Sequence, residues 1–508
     1  MIETWKRLQN GTDIRGIAIE TAENSVTLTS AMVRGIAYGF RKWLMDENHI
    51  QSEPCKIAVG MDSRLSGPEL KTALIGRLTE LGCDVYDCGM STTPAMFMTT
   101  IIENYQCDGA VMITASHLPY CYNGLKFFTK EGGCEKEDIR AILENASQGN
   151  SVCDGPKGAV YEKDLIEDYS KLLVHKIRQG VNSQLNYEKP LCGCNIIVDA
   201  GNGAGGFFAA KVLEPLGADT TGSQFLEPDG NFPNHPSNPE NQAAMDSLKE
   251  AVLRSKADLG IIFDADVDRA AIVSSNGAEI NKNALIALLS AILLAEHPQS
   301  VIVTDSITST GLREFIERQG GRQRRFKRGY KNVINEAKRL NDAGEACHLA
   351  IETSGHAACK ENYFLDDGAY LIAKIVIKMA VLRQENKEIQ SVIETLKMPC
   401  ESDEVRIHIK HKDFRECGAF ILADMEKQVQ QIQGWSLVAE NYDGIRVSAH
   451  EGSGNGWFLL RISLHEPVLA LNIESDAKGG IRSILDRLIP ILKGYEALKL
   501  EDKLLTAQ

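Results

Sequence analysis

Residues 111–128 read Val-Met-Ile-Thr-Ala-Ser-His-Leu-Pro-Tyr-Cys-Tyr-Asn-Gly-Leu-Lys-Phe-Phe. The apolar run from Ala110 to Ile113 stops at Thr-Ala-Ser-His, and an Asn-Gly turn then leads to Lys126 in an apolar setting. We interpret this pattern as a buried strand that brings the hydroxyl of Ser116 to the rim of a sheet, with a cation returned nearby by the following turn. Parallel α/β sheets bind ligands at the carboxyl ends of their strands. The segment therefore predicts an α/β fold with a functional site at this strand end.

The strand-then-loop pattern recurs along most of the chain. The candidate strands are Lys56–Met61, Asp84–Cys88, Ala110–Thr114, Ile196–Asp199, Asp258–Phe263 and Val301–Thr304. Each is followed within two residues by Gly, Ser, Thr or Asp, and most then lead into a helical pattern, which is typical of mostly parallel α/β sheets. The last hundred residues differ, with three short candidate strands, Ile445–Ala449, Gly456–Ser463 and Val468–Ile473. A helix over about 481–498 follows them, so we expect a small antiparallel α+β domain there.

Length and composition limit the class of protein. The chain has 508 residues, and single cores stop growing at about 250–300 residues, so several domains are expected. The predicted domains are 1–165, 166–283, 284–395 and 396–508. A net charge of −14 argues against nucleic-acid binding, and the longest apolar run is too short to span a membrane. Thirteen scattered cysteines and an N-terminus without a signal-peptide pattern favour a cytoplasmic protein.

Ser116 is the first candidate for chemistry. A serine hydroxyl is a weak nucleophile at neutral pH and needs activation. Its abrupt position at a strand end, and Lys126 ten residues later, favour a reactive serine over an ordinary loop serine. Once phosphorylated, the side chain would carry a charge of about −1.5 to −2. It would then need cations and a metal ion nearby.

Residues 258–269 read Asp-Leu-Gly-Ile-Ile-Phe-Asp-Ala-Asp-Val-Asp-Arg, an apolar strand that ends in carboxylates. The three carboxylates at alternate positions belong to Asp264, Asp266 and Asp268. Alternate side chains of an extended segment point to one side, and clustered oxygen ligands suit Mg²⁺. An EF-hand loop is excluded, because Arg269 and Ser275 occupy the positions of its glycine and glutamate. Arg269 is instead placed to bind a phosphate oxygen.

Two later loops each carry a pair of polar residues that are two positions apart. Glu352 and Ser354 follow a probable strand and can accept from and donate to vicinal sugar hydroxyls, although alone they would be read as an ordinary loop. Arg461 and Ser463 lie two apart at a strand end and can bind a phosphate together with backbone N–H groups. An ordinary edge-strand arginine explains the second loop equally well.

The segment Gly201–Gly206 matches the Gly-x-Gly-x-x-Gly pattern of dinucleotide-binding proteins, and Asp219 lies near the spacing of their acidic residue. A second nucleotide-binding half is not evident in the sequence. We therefore interpret the glycines as a structural turn rather than as an NAD site.

Taken together, the motifs resemble those of the α-D-phosphohexomutases, the phosphomannomutase/phosphoglucomutase family. That family has a serine loop Thr-Ala-Ser-His-Asn-Pro, a metal loop Asp-Gly-Asp-x-Asp-Arg, a sugar loop Gly-Glu-x-Ser-Gly-His and a phosphate loop Arg-x-Ser-(Asn or Gly)-Thr-x-Pro. All four occur here in the family's order, one in each predicted domain. The departures are Leu118, Ala265, Ile351, Leu464 and His465.

The resemblance implies a fold and a function. The fold would be a four-domain α/β architecture, with three mixed or parallel α/β domains and a small C-terminal antiparallel α+β domain around a central cleft. The function would be that of an isomerase that interconverts hexose 6-phosphate and hexose 1-phosphate, of mannose and/or glucose, through a phosphoserine and a bisphosphorylated sugar. The implied cofactors are Mg²⁺ and a sugar bisphosphate as activator or intermediate. The expected partners are small hexose phosphates, with neither nucleic acid nor membrane, in a monomer or homodimer.

The resemblance also implies roles for individual residues. The catalytic residues would be Ser116, Lys126, Arg15 and His117. The metal ligands would be Ser116, Asp264, Asp266 and Asp268. The substrate-binding residues would be Arg269, Gly329, Tyr330, Glu352, Ser354, His356, Arg461, Ser463 and His465. Arg15 lies in a segment similar to the family's Asp-Ile-Arg-Gly, and residues 60–66 resemble its Gly-x-Asp-x-Arg element.

Other interpretations stay open at this point. The sequence is also compatible with three alternative functions. These are a phosphoglucosamine mutase, a haloacid-dehalogenase-type phosphatase with Asp264 as nucleophile, and a catalytically weak protein that binds sugar phosphates. The basic run at 322–328 is interpreted as an attractive surface for sugar phosphates, with a solvated face as the alternative.

Overall fold

The computed structural model describes residues 2–47, 49–50, 54–149, 156–463 and 466–500. The chain divides into two compact units. The first unit contains Met1–Leu285 and Ser354–Val392, and the second contains Ile286–Thr353 and Ile393–Gln508. None of the helices in the described part of the chain has the length and apolar character that a membrane span requires.

The first unit begins with a mixed eight-stranded sheet. Its strands are Gln9–Asn10, Asp13–Ile17, Lys56–Met61, Asp84–Met90, Gly109–Ile113, Tyr122–Thr129, Gly132–Gly133 and Val160–Glu162. The helices of this part are Ile2–Lys6, Ser30–Asp46, Gly67–Glu80, Thr93–Met98, Lys136–Ser147 and Leu165–Val181. Lys56–Met61 pairs in parallel with Gly109–Ile113, which pairs antiparallel with Tyr122–Thr129.

Helix Ser30–Asp46 shows how the sequence builds this core. Its apolar residues Ile36, Phe40 and Leu44 recur at helical spacing and are fully buried. The ring of Phe40 lies 4.8 Å, between centroids, from that of Phe127 on the sheet. Because these side chains leave water together, the helix is fixed on the face of the sheet whose strands lead to the serine segment.

A second sheet in the first unit has the strands Ile196–Asp199, Leu259–Phe263, Ala270–Ser274 and Glu279–Ile280. Leu259–Phe263 pairs in parallel with the first of these strands and antiparallel with Ala270–Ser274. The accompanying helices are Ala204–Gly206, Phe208–Leu213, Glu214–Leu216 and Gln242–Ser255, and Lys282–Glu296 follows the sheet. The unit is completed by a small antiparallel pair of strands, Ala357–Cys359 and Leu365–Asp366, and by the helices Lys360–Asn362 and Gly368–Gln384.

The second unit contains two further sheets. Its α/β part has the parallel strands Val301–Thr304, Arg322–Arg325 and Cys347–Ile351 and the helices Thr310–Arg318 and Tyr330–Asp342. After the short helix Ile389–Ile393, the chain forms an antiparallel sheet of six strands. These are Glu401–Ile409, Trp435–Leu437, Ile445–Ala449, Gly456–Ile462, Val468–Ser475 and Leu498–Lys499, with the helices Phe414–Val429 and Gly480–Lys493.

The predicted fold class is confirmed, with α/β sheets followed by an antiparallel α+β domain. Several strands, such as Lys56–Met61 and Ile445–Ala449, have the predicted bounds. The last helix was predicted too long, because it ends at Lys493 and the chain then pairs with Ile409 through Leu498. The strand Glu401–Ile409 was not predicted, since its charged residues dominate the pattern, although its second half alternates buried and exposed residues.

Candidate active site

The serine loop, Thr114–Pro119, follows the fully buried strand Gly109–Ile113. The backbone N–H of Ser116 donates to Oγ1 of Thr114 at 2.8 Å. Ser116 has a φ of 51°, in the left-handed region that residues with a Cβ seldom adopt. The side chain is nearly inaccessible to water. The loop therefore holds the candidate nucleophile in a conformation that its surroundings must stabilise.

The acidic loop, Asp264–Arg269, follows the buried strand Leu259–Phe263. The alternating carboxylates predicted an extended segment, but the loop is a turn in which the N–H of Val267 donates to the carbonyl of Asp264 at 3.2 Å. Val267 has a φ of 64°. The turn, rather than strand alternation, brings oxygens of Asp264, Asp266 and Asp268 within 4.8 Å of one another.

The serine and acidic loops meet at the Ser116 hydroxyl. Oγ of Ser116 donates to Oδ2 of Asp264 at 2.9 Å. Nη2 of Arg269 donates to Oγ of Ser116 at 3.1 Å and to Oδ2 of Asp264 at 3.0 Å. The hydroxyl thus lies between a carboxylate and a guanidinium group. This arrangement joins the two motifs that the sequence placed about 150 residues apart.

Lys126 faces the other two carboxylates of the acidic loop. Nζ of Lys126 donates to Oδ2 of Asp266 at 2.8 Å and to Oδ2 of Asp268 at 2.5 Å. The sequence predicted an Asn-Gly turn before Lys126, but Asn123 and Gly124 lie with Lys126 inside the strand Tyr122–Thr129. Lys126 is directly opposite Met112 in an antiparallel pair. The antiparallel register therefore returns the cation beside the serine strand, where the sequence suggested that a turn would.

The three carboxylates fit a hard divalent cation. Oδ1 of Asp266 and Oδ1 of Asp268 are buried and have no hydrogen-bond partner among the described residues. Burial and the charge of Asp268 raise the pKa of Asp264 well above its usual value. Burial opposes ionisation of Asp268 as well, but the charge of Lys126 holds its pKa below the usual value. Mg²⁺ binds carboxylate oxygens of this kind and completes its octahedron with water or phosphate oxygens.

His117 lies against the same guanidinium group. Nη2 of Arg269 donates to Nδ1 of His117 at 2.6 Å, and Oγ of Ser116 is 3.3 Å from that nitrogen. Although His117 is partly exposed to solvent, the protein atoms packed around its ring and the charges of Arg269 and Arg15 lower its pKa. The imidazole is therefore neutral at physiological pH, with Nδ1 as an acceptor and the proton on Nε2.

Arg15 approaches the site from the neighbouring strand. The strand Asp13–Ile17 pairs with Tyr122–Thr129, and Arg15 lies opposite Gly124. Nη2 of Arg15 donates to Oδ2 of Asp13 at 2.8 Å. Its positive charge contributes to lowering the pKa of His117, after burial and the charge of Arg269.

His356 was predicted to bind substrate, and the structure places it beside the acidic loop. Nδ1 of His356 donates to Oδ2 of Asp366 and lies 3.9 Å from Oδ1 of Asp268. Burial alone would lower the pKa of His356, but the two carboxylates raise it to about 9. The imidazolium thus adds a positive charge beside the acidic loop. Ser354, two residues earlier, has a buried Oγ with no hydrogen-bond partner among the described residues.

A cavity of about 440 Å³ lies beside the serine loop. Its walls are formed by residues 116–120 and by residues 231–237. The latter belong to the second α/β region, which is the part of the first unit built around the second sheet. Both Ser116 and His117 line it. A space of this size accommodates a small ligand next to the candidate nucleophile.

In the second unit, the predicted sugar-contacting residues are clustered at one loop. Oε1 of Glu352, a buried side chain, accepts from the N–H of Gly329 at 2.6 Å. Gly329 has a φ of 120°, and helix Tyr330–Asp342 starts at the next residue. The structure therefore brings Gly329, Tyr330 and Glu352 together.

Arg461 occupies a second part of this unit. Burial and the charge of Arg328 lower the pKa of Arg461, and its Nε has no hydrogen-bond partner among the described residues. Oδ2 of Asp443 accepts from the backbone N–H of Arg328 at 3.3 Å, and the adjoining Gly444 lies close to the backbone of Arg461. Oγ of Ser463 accepts from the N–H of Glu466 at 3.3 Å. The predicted ligand His465, like Leu464, lies outside the described residues.

Comparison with known proteins gives matches along most of the chain. Family models for the phosphoglucomutase/phosphomannomutase alpha/beta/alpha domains I, II and III match residues 6–151, 171–277 and 281–398. The chain belongs to this family. A phosphomannomutase/phosphoglucomutase of Pseudomonas syringae pv. tomato is 31% identical over 474 residues, which cover 93% of this chain and 92% of the relative. A phosphoglucomutase of Neisseria gonorrhoeae is 31% identical over 448 residues, 86% of this chain and 88% of the relative.

A solved structure shows the same architecture. The crystal structure of a phosphoglucomutase/phosphomannomutase family protein from Burkholderia thailandensis superposes with a TM-score of 0.79 at 25% identity. The match covers 97% of this chain and 98% of that chain. The fold and the family of the chain thus agree with the motifs in its sequence.

The glycine segment 201–206 supports the acidic loop of this family member. A Cβ on Gly203 would lie 2.6 Å from Cα of Ala265, and a Cβ on Gly206 would lie 2.2 Å from the carbonyl oxygen of Leu226. The N–H of Ala204 donates to the carbonyl of Ala265 at 2.8 Å. The glycines thus allow close packing within the protein, which agrees with their interpretation as a structural turn.

The basic run at 322–328 is largely used inside the second unit. Arg325 is buried and donates to the carbonyl of Ser309 at 2.7 Å. Arg324 donates to Glu336 at 3.1 Å, and Arg322 pairs with Glu345. These contacts favour structural roles for three of the cations over an open basic surface.

Sequence reasoning did not assign several residues that contact the predicted site. Oγ1 of Thr93 donates to Oδ2 of Asp266 at 2.5 Å, and its N–H donates to the carbonyl of that residue at 2.9 Å. Asp366 binds His356, but the sequence predicted no role for it. Arg328 was predicted only as one member of the basic run. A threonine in a Thr-Pro helix start carries no sequence signal for such a contact. Of these residues, Arg328 could have been predicted from the sequence, because it directly precedes the predicted substrate contact Gly329.

Proposed function

We propose that the chain is a phosphohexomutase that interconverts hexose 6-phosphate and hexose 1-phosphate through phospho-Ser116 and a bisphosphorylated sugar. The observation that carries the proposal is the position of the Ser116 hydroxyl between Asp264 and Arg269, at the edge of the buried carboxylate cluster. Membership of the family supports it, since the named relatives are phosphomannomutases and phosphoglucomutases.

Arg269 and the acidic loop would hold the phosphoryl group during transfer. Phosphoryl transfer depends mainly on positioning and on neutralising charge on the equatorial oxygens. Nη2 of Arg269 already donates to Oγ of Ser116, so the same guanidinium can bind a phosphoryl oxygen attached there. A divalent cation held by Asp264, Asp266, Asp268 and phospho-Ser116 would supply further neutralisation of that charge. Mg²⁺ fits this donor set best.

Proton transfer to and from the sugar hydroxyl is assigned to Lys126, Arg15 and His117. Lys126 is held by Asp266 and Asp268, where its ammonium group keeps a proton close to the reacting phosphate. The neutral His117 has one nitrogen occupied by Arg269 and carries a proton on the other. General acid–base help of this kind contributes about 10²–10⁴ in rate.

Each unit carries residues whose chemistry suits substrate recognition. Glu352, Gly329 and Tyr330 suit the hydroxyls of a sugar, as do Ser354 and His356 of the first unit. Arg461, Ser463 and His465 suit the phosphate that is not being transferred. Arg328 joins this set, because a second guanidinium beside Arg461 favours a dianion.

Mannose and glucose phosphates are the proposed substrates, and the named relatives support this choice over glucosamine phosphate. A phosphatase that uses Asp264 as nucleophile is disfavoured, because Oδ2 of Asp264 is already bound by Ser116 and Arg269. Mg²⁺ and a hexose bisphosphate activator complete the proposal.

The test incubates the purified protein with Mg²⁺, glucose 1,6-bisphosphate and a panel of hexose 1-phosphates. We expect glucose and mannose 6-phosphates to form, and phosphopeptide mapping to find the phosphate on Ser116. Ser116→Ala is expected to abolish turnover. The matched control is Ser275→Ala. The hydroxyl of Ser275 donates to the exposed Glu388, so its removal should not affect the rate. Release of inorganic phosphate at full rate by Ser116→Ala would instead indicate the phosphatase.

A further inference from the structure

Arg64 lies beneath the serine loop and binds its backbone. Its side chain is fully buried, and its guanidinium group donates to four carbonyl oxygens. The acceptors are the carbonyls of Ser116 at 2.5 Å, Leu118 at 2.6 Å, Pro119 at 2.9 Å and Tyr122 at 2.9 Å. One side chain therefore fixes the path of the chain over the whole serine loop and into the next strand.

Asp62 links Arg64 to the other side of Ser116. Oδ2 of Asp62 accepts from Oγ1 of Thr114 at 2.7 Å and lies 3.3 Å from Nε of Arg64. The same Thr114 hydroxyl oxygen accepts from the N–H of Ser116. The amide on one side of Ser116 and the carbonyl on the other are thus both fixed by a single ion pair.

These contacts stabilise an unfavourable backbone conformation, because Ser116 lies in the left-handed region with a φ of 51°. For a residue with a Cβ, that conformation costs about 1–2 kcal/mol unless surrounding contacts stabilise it. The planar fork of arginine donors can bind several carbonyls at fixed angles, whereas the ammonium group of lysine cannot reproduce that geometry.

The second α/β region closes over Arg64. The guanidinium carbon of Arg64 lies 5.3 Å from the ring centroid of Phe232. A Cβ on Gly230 would lie 2.5 Å from the backbone N of Leu65, so glycine permits this close approach. Burial lowers the pKa of Arg64 and raises that of Asp62 to about 6. A buried ion pair of this kind gives little net stability, which favours a positioning role.

We propose that Arg64 is a positioning residue for phosphoryl transfer, which sets the orientation of the Ser116 hydroxyl toward Asp264 and Arg269 by binding the serine-loop carbonyls. The inference rests on the proposed function for its kinetic consequence. Its structural consequence, an ordered serine loop, stands without it.

The experiment compares Arg64→Lys and Arg64→Met with the control Arg77→Lys. Arg77 is another buried arginine of the same region, and it pairs with Glu80, three residues later in helix Gly67–Glu80. For each protein, kcat and KM are measured with glucose 1-phosphate, together with the melting temperature and hydrogen exchange of the amides at 114–122.

For Arg64→Lys we expect a folded protein whose kcat falls by about 100-fold, because misplacing a reacting group by about 1 Å costs that much. KM should stay within about threefold, and the amides at 114–122 should exchange faster. Arg64→Met should show the same direction with a larger effect. Arg77→Lys should leave kcat and serine-loop exchange unchanged, even if its melting temperature falls equally.

The proposal is overturned if Arg64→Lys keeps a kcat within threefold of the parent protein, or if exchange at 114–122 is unchanged in a folded Arg64→Lys or Arg64→Met. If the parent protein has no mutase activity, the proposed function fails instead. The exchange comparison then still decides whether Arg64 orders the serine loop.

Discussion

The serine loop is held mainly through its backbone, whereas the acidic loop is held through its side chains. Arg64 and Thr114 bind carbonyls and an N–H of the serine loop, which leaves the Ser116 hydroxyl for chemistry. In the acidic loop, Lys126 and Thr93 bind the carboxylates directly. The first arrangement fixes a position, and the second compensates charge. The acidic loop should therefore respond to charge, metal and pH, and the serine loop to shape.

The largest effect on this contrast is expected from Lys126→Met. The change leaves Asp266 and Asp268 buried without their cation, and removing one partner of a buried pair costs about 3–5 kcal/mol. Urea unfolding in EDTA should show this loss. Turnover should also be lost, and added MgCl₂ should raise the melting temperature of the variant more than that of the parent protein.

The control for Lys126→Met is Lys42→Met, which removes one partner of an exposed pair with Asp46. Its stability should change little, since exposed pairs are screened by water. Equal stability of the two variants would show that Lys126 does not compensate the acidic loop.

A smaller effect is expected when one hydroxyl is removed from each loop. Thr93→Val deletes the donor to Asp266, and Thr114→Val deletes the acceptor of the Ser116 amide. Each should lower the free energy of unfolding by about 1–3 kcal/mol, because a buried partner is left unsatisfied. Thr93→Val should also raise the Mg²⁺ concentration needed for half-maximal activity, whereas Thr114→Val should lower kcat at saturating Mg²⁺.

The conservative variants Thr93→Ser and Thr114→Ser keep the hydroxyls and should retain most of the activity. If both valine variants shifted the Mg²⁺ requirement equally, the two loops would not differ in the way proposed.

The pH dependence of stability should separate the loops further. The folded-state pKa of His356 is raised to about 9, above its unfolded value of about 6.5. Its contribution to stability is therefore fully present below about pH 6.5 and is lost as the pH rises through about 9. Metal-free protein should lose stability over this range, and His356→Gln should lose less. Identical pH profiles for the two proteins would exclude His356 as a charge partner of the loop.

The smallest effect concerns the backbone of Ser116 itself. Ser116→Gly and Ser116→Ala both remove the hydroxyl and should both be inactive. The glycine variant should be more stable by about 1 kcal/mol, because only glycine adopts a positive φ without a steric cost. Thermal unfolding of the two variants measures this difference. A more stable alanine variant would mean that the serine loop relaxes to another conformation when the hydroxyl is absent.

The sequence was informative where polar residues end a buried strand. Such ends predicted both Ser116 and the acidic trio, and parallel pairing explains why strand ends collect ligands. It was less informative about the return strand that carries Lys126, because an Asn-Gly pair predicts a turn, whereas here Asn123 and Gly124 lie inside that strand. The sequence also gave no indication that Val267 has a positive φ, since valine disfavours the left-handed region.

The supporting residues could not be found in this way, because they are remote in sequence and ordinary in type. Thr93 precedes its partner Asp266 by more than 170 residues, and a threonine at a helix start usually has a local role. Arg64 was noticed as part of a short motif, but its four carbonyl partners depend on how the serine loop folds back over it. The predicted domain boundaries and the roles of individual site residues stay predictions.

The division of the chain between Thr353 and Ser354 has a consequence for protein engineering. Glu352 belongs to the second unit, whereas His356 belongs to the first, where it contacts both Asp268 and Asp366. A chimera that exchanged residues 281–398 as one module between homologues would separate His356 from the Asp268 it evolved beside. Crossover points placed at 285/286, 353/354 and 392/393 would exchange the second unit as a whole and keep each set of contacting side chains from a single parent.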